Sequence, residues 1–128
     1  MLANLTMKMQ KRLGSALTPH GLSFTEYLVL RELVNAPGKK CRRIDLAEAV
    51  GLSASGVTRL LNPMEKVGLV KKEEAPRDAR VSLVAPTRVG EKIFRESDIT
   101  IAHTSNAFLS ALGEADKATF GRMVTALL

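Results

Sequence analysis

Ser53-Ala54-Ser55-Gly56-Val57-Thr58-Arg59-Leu60-Leu61-Asn62-Pro63-Met64-Glu65 is the stretch on which the fold turns. Val57, Leu60, Leu61 and Met64 recur at i, i+3, i+4 and i+7, the spacing of an amphipathic helix, and Ser53 is a good N-cap. The opposite face carries Ser55, Thr58, Arg59 and Asn62, with no carboxylate until Glu65. Solvated helix faces usually mix Glu with Lys, so a face of short hydroxyl and amide groups plus one arginine suits an anionic partner. The DNA major groove, about 12 Å wide, admits such a helix if its side chains are small, and arginine pairs bidentately with guanine. Gly56 costs about 1 kcal/mol relative to alanine inside a helix, which points to close backbone approach, either to DNA or to the preceding helix. The free N–H groups behind Ser53 suit a phosphate. Pro63 removes one helical hydrogen bond and predicts a bend near Arg59-Leu60.

The flanking segments complete a recognisable unit. Upstream, Arg43 to Val50 reads as a short helix with Ile44, Leu46, Ala47 and Val50 facing inward, stopped by Gly51. The basic run Lys39, Lys40, Arg42 and Arg43 precedes it and offers phosphate contacts, which position a protein without specifying bases. Downstream, Leu69–Glu74 and Val81–Ala85 read as two strands around a basic turn. At its tip Arg77 and Arg80 flank Asp78; arginines suit the negative potential of a narrow minor groove, and Asp78 fits if it pairs with a neighbouring arginine and orients its fork. A pair of short helices followed by a two-stranded wing is the winged helix-turn-helix arrangement.

Further out, Leu2, Leu5, Met9, Leu13, Ala16 and Leu17 form one stripe on a first helix over Leu2–Leu17. Ser23 and Glu26 form a capping box that opens a second helix, apolar around most of its circumference through Phe24, Tyr27, Leu28, Leu30, Leu33 and Val34, which belongs at the centre of the fold. A long helix from Thr87 to about Leu112 and a last one from Glu114 to Leu128 follow, divided by Gly113. The fold class is therefore mainly α with a small β-hairpin wing.

The bulk properties agree. The 128 residues suit one domain; 45% are hydrophobic and 25% charged, as in an ordinary globular protein. A net charge of +6 and a pI near 9.8 favour polyanions. No apolar run is long enough to span a membrane, and a single cysteine, Cys41, fits a reducing cytoplasm. Lys40 and Arg42 beside Cys41 favour a lowered thiol pKa, which would support redox sensing, the weaker of the sensing readings. No metal-ligand spacing, nucleophile–base pair or phosphate loop is present, so neither catalysis nor a cofactor is expected; His20 and His103 stand alone. A winged helix that contacts protein rather than DNA is the competing class.

Gly21-Leu22-Ser23, Asp45-Leu46-Ala47, Gly51-Leu52-Ser53, Val57-Thr58-Arg59-Leu60, Met64 to Val70, and above all Asp78-Ala79-Arg80 followed by Thr87-Arg88-Val89-Gly90, resemble the MarR family of bacterial transcription regulators. The resemblance runs along nearly the whole chain. It implies one MarR-like domain over 1–128, with a DNA-binding part at 22–86 and a helical dimerisation part at 1–20 and 87–128. It further implies a homodimer on double-stranded DNA at a pseudo-palindromic operator, acting as a repressor. The DNA-binding residues it implies are Ser53, Ser55, Gly56, Thr58, Arg59, Asn62, Arg77, Asp78, Arg80, Arg42, Arg43 and Lys40. By analogy with the family alone, release by a small aromatic or anionic effector would involve His20, Phe24, Tyr27 and Arg31.

Overall fold

The computed structural model describes residues 1–78 and 80–128. Among the described residues, six α-helices and three strands follow in the order α1 (Leu2–Leu17), α2 (Phe24–Asn35), β1 (Cys41–Arg42), α3 (Arg43–Val50), α4 (Ala54–Lys66), β2 (Val70–Glu74), β3 (Ser82–Pro86), α5 (Arg88–Phe108) and α6 (Glu114–Leu127). The helix starts follow their caps. Ser23 and Glu26 close the capping box reciprocally, and Ser53 and Thr87 accept from Gly56 N and Gly90 N. Gly51, at φ 70°, ends α3 in the left-handed conformation that glycine adopts without strain.

The expected two-stranded wing is a three-stranded antiparallel sheet ordered β1-β3-β2. Val70 pairs with Pro86 and Glu74 with Ser82, while Cys41 and Arg42 pair with Val84 and Leu83 on the far side of β3. Two residues are too few to show alternation, so β1 exists through its partner strand rather than through any local pattern.

Around α2 the core gathers Leu17, Val29, Leu30, Leu33, Leu46, Val57, Leu61, Met64 and Val84, each at most 2% exposed. The central position expected for α2 holds: it contacts α1, α3, α5 and β3. One expectation needs correction. Ile44 is 69% exposed rather than inward, because Leu46 and Ala47 take the buried face of α3 and Ile44 lies about 200° around the helix from Leu46. Helix α4 continues through Pro63, which sits on its exposed side.

One joint fixes α5 to the sheet. Thr87 N donates to Leu69 O at 3.0 Å, and the Thr87 hydroxyl donates to Gly68 O while accepting from Gly90 N at 3.0 Å. Gly90 is buried, and a Cβ there would overlap the Leu69 carbonyl oxygen and stand 2.9 Å from its carbon. The neighbour in the way is backbone and cannot rotate aside. Gly90→Ala should therefore destabilise by about 3 kcal/mol, the upper end for overpacking. Thr87→Val, which keeps the volume but loses the cap, should cost about 1 kcal/mol. Urea denaturation at one fixed protein concentration measures both, and an unchanged midpoint for Gly90→Ala would refute the packing.

Candidate nucleic-acid interface

Helix α4 is positioned by its buried face, where Val57, Leu61 and Met64 are at most 1% exposed. That leaves Ser55, Thr58, Arg59 and Asn62 exposed on the other side, as the spacing predicts. No acidic residue lies in the first turn. Ser53 Oγ accepts from Gly56 N at 3.1 Å and lies 3.2 Å from Ser55 Oγ. The close approach expected at Gly56 is to its own capping turn: a Cβ there would meet Ser53 Oγ at 3.2 Å and Leu52 Cβ at 3.6 Å. Gly56 thus shapes the helix start.

The wing presents Arg77, Asp78 and Arg80, all exposed; the Ala79 of the motif lies outside the described residues. Asp78 Oδ1 accepts the Arg80 backbone N–H at 3.0 Å and lies 3.7 Å from Arg80 Nε. The aspartate thus braces the turn through the Arg80 backbone, while the expected pairing with an arginine fork amounts to the 3.7 Å approach to Nε. The Arg80 side chain is still 95% exposed, so its guanidinium remains open to a further anion.

The basic run before α3 behaves differently from residue to residue. Lys39 pairs with Glu91, which also binds Arg95 at 2.6 Å; Lys40 pairs with Glu73 at 3.8 Å; Arg42 reaches both oxygens of Asp45, at 2.9 and 3.2 Å. The hydrogen bonds from Lys39 and Arg95 hold the Glu91 carboxyl below the usual range. Arg43 instead donates from Nε to Ser82 Oγ at 3.2 Å and from Nη1 to Thr58 Oγ1 at 3.4 Å, spanning β3 and α4. Sequence reasoning missed Ser82 and Glu91. Neither carries a periodic or motif signal, and each matters only through a cation brought to it by the fold.

The quartet expected to meet an effector divides. Tyr27 is 3% exposed, stacked between Phe24 and Phe94, and its hydroxyl donates to Asp98 at 2.6 Å. Burial, then the Asp98 hydrogen bond and charge, raise its pKa. His20 Nε2 bonds Thr100 Oγ1 at 2.8 Å, and Arg31 is exposed beside Glu32. Phe24 and Tyr27 are therefore core residues in this conformation.

Among the described residues, no cluster of His, Cys, Asp or Glu is placed to hold a metal, and no helix is long and apolar enough to cross a membrane. Two short helices, with α4 presenting a face free of carboxylates up to Glu65 beside an arginine-tipped wing, define a winged helix-turn-helix protein.

The comparisons place it further. A model described as MarR family matches residues 20–81. Transcriptional regulator HosA of Escherichia coli O111:H- is 28% identical over 107 residues, covering 84% of this chain and 78% of that protein. A mutant MarR from E. coli, crystallised with operator DNA, superposes with a TM-score of 0.88 at 19% identity over 99% of this chain and 90% of that one. The PcaV transcriptional regulator of Streptomyces coelicolor, in complex with its natural ligand, superposes at 0.79 with 24% identity over 98% and 89%. Residues 20–81 thus match the MarR family, and the chain as a whole has the fold of MarR winged helix-turn-helix regulators.

Cys41 is half-buried, and its thiol pKa is raised by burial first, then by Glu32 and Asp45. The lowering expected from Lys40 and Arg42 is absent, because Glu73 and Asp45 pair with those cations. At pH 8 the native protein should thus react with iodoacetamide more slowly than a free cysteine and speed up in urea. Faster reaction of the native form would contradict this environment.

Proposed function

We propose that this protein binds double-stranded DNA as a homodimer, reads a pseudo-palindromic site with α4 in the major groove, and represses transcription where that site overlaps a promoter. The observation that carries the reading is the exposed, carboxylate-free face of Ser55, Thr58, Arg59 and Asn62, flanked by the exposed arginines of the wing. A major groove accepts short donors and one bidentate arginine at close range. Arg77 and Arg80 extend the contact to the neighbouring minor groove. Lys40 and Arg42 face the phosphate backbone in this reading, where exchanging a protein carboxylate for a phosphate is an even trade in charge, and Arg43 has no carboxylate to give up among the described residues.

Pairing is supported by what α1 and α6 leave uncovered. Leu2, Met7, Met123 and Leu127 are 61–82% exposed, and no residue of α6 is fully buried against its own chain. Helical stability comes mostly from packing of an apolar face, so the uncovered face of α6 calls for a partner. A second copy supplies one and sets two α4 helices about 34 Å apart, one turn of DNA, or a multiple of it. Effector release is the finer part of this reading. The ligand-bound PcaV offers it a precedent, and of the quartet only Arg31 and His20 keep polar groups away from the core.

Fluorescence anisotropy on genomic fragments tests the reading. Affinity for a selected duplex should fall about 10³-fold or more between 50 and 200 mM salt. Arg59→Ala should lose about 1–3 kcal/mol of discrimination at one base pair in each half-site. Equal weakening on every sequence would remove Arg59 from base reading, and binding indifferent to salt would favour a protein partner instead.

A further inference from the structure

Arg43 differs from the other cations before α3. Lys39, Lys40 and Arg42 each meet a carboxylate, whereas Arg43, among the described residues, meets only the hydroxyls of Ser82 and Thr58. The sheet explains its place: antiparallel pairing of Arg42 with Leu83, continued by one residue, sets Arg43 beside Ser82. From there the planar fork reaches two elements at once, a geometry that lysine cannot reproduce.

The Thr58 hydroxyl is the consequential end of this bridge. A threonine hydroxyl has one proton to donate and two lone pairs to accept with. In α6, Thr119 and Thr125 donate theirs back to the helix carbonyls of Ala115 and Gly121. Thr58 makes no such bond among the described residues; it accepts from Arg43 instead. Its proton is therefore left for an outside acceptor, and the cationic donor behind the oxygen strengthens that donation by polarising it.

We infer that Arg43 is a positioning residue that sets the polarity of Thr58, making it a donor that selects a hydrogen-bond acceptor on a base edge, such as purine N7, guanine O6 or thymine O4, over the amino group of cytosine. This rests on the DNA-binding reading above and names which base edges one position of α4 accepts. Arg43 thereby acts on specificity through Thr58 without itself touching a base.

The test uses a duplex selected by the full-length protein and a panel of its single-base variants, compared by anisotropy at fixed salt, with the salt slope measured separately. Thr58→Val should lose about 3- to 10-fold of discrimination at one base-pair position, the worth of one hydrogen bond. Arg43→Lys should lose a similar factor at that same position while keeping the wild-type salt slope, because the charge stays and the fork is lost. The double variant should be no worse than either single variant. Ser82→Ala, which frees the Nε end of the fork, should shift the same position by a smaller factor. Arg43→Lys with unaltered discrimination, losses of the two variants that multiply, or a loss spread evenly over all sequences would overturn the inference while leaving DNA binding intact. A wild-type protein that binds no duplex even at low salt would overturn the DNA-binding reading and this inference with it.

Discussion

The carbonyl of Leu69 is the constraint on which the rest of the molecule depends. It accepts the Thr87 amide and lies against the bare α-carbon of Gly90, so the first turn of α5 is seated on the corner between α4 and β2. Helix α5 is 21 residues long and packs against α1, α2 and β3. Its origin therefore fixes the angle between the part that carries α4 and the part that carries the uncovered apolar helices. No side chain could supply this joint, because the approach is between backbones. That accounts for a buried glycine in a helix, where alanine would otherwise be preferred.

Charge is arranged as economically as the packing. Of the basic residues around the winged part, those on the α5 side and the sheet edge are paired: Lys39 with Glu91, Lys40 with Glu73, Arg42 with Asp45. Exposed pairs of this kind contribute little to stability. Their effect is to mask positive charge away from α4 and the wing tip. Arg59, Arg77 and Arg43 have no carboxylate partner among the described residues, and Arg80 touches one only at 3.7 Å. Positive charge is thus left unmasked where α4 and the wing project, which a composition of +6 could not have disclosed.

Much of this architecture was legible in the sequence, for identifiable reasons. Ser23, Ser53 and Thr87 cap helices through local geometry, so the starts of α2, α4 and α5 could be read from single residues. The outward face of α4 followed from a 3.6-residue period alone. What could not be read was non-local. Strand β1 exists only through β3, and the Arg43 bridge needs three elements to meet. The partners of Lys39 and Lys40 lie 52 and 33 positions away. Ile44 was misplaced because an eight-residue helix has too few turns for its period to choose between neighbouring faces. Cys41 was misjudged because flanking cations were counted without the carboxylates that the fold brings to them.

Helix α5 also carries two side-chain hydrogen bonds to the region around α2: Tyr27 of α2 to Asp98, and His20, in the turn before α2, to Thr100. With Thr87 and Gly90 at its start, Lys39 held by Glu91 and Tyr27 bonded to Asp98, α5 is pinned to the winged part at three levels from its start to its middle. Its C-terminal half packs instead with α1, where Arg12 stacks over Phe108 at 5.8 Å. In the proposed dimer a tilt of the paired arms must therefore move the wings with it, since α5 has neither a proline nor a glycine after Gly90 at which to bend. The spacing of the two α4 helices is then a property of how the arms pair. A molecule wedged between arm and wing would change it through this single stiff element.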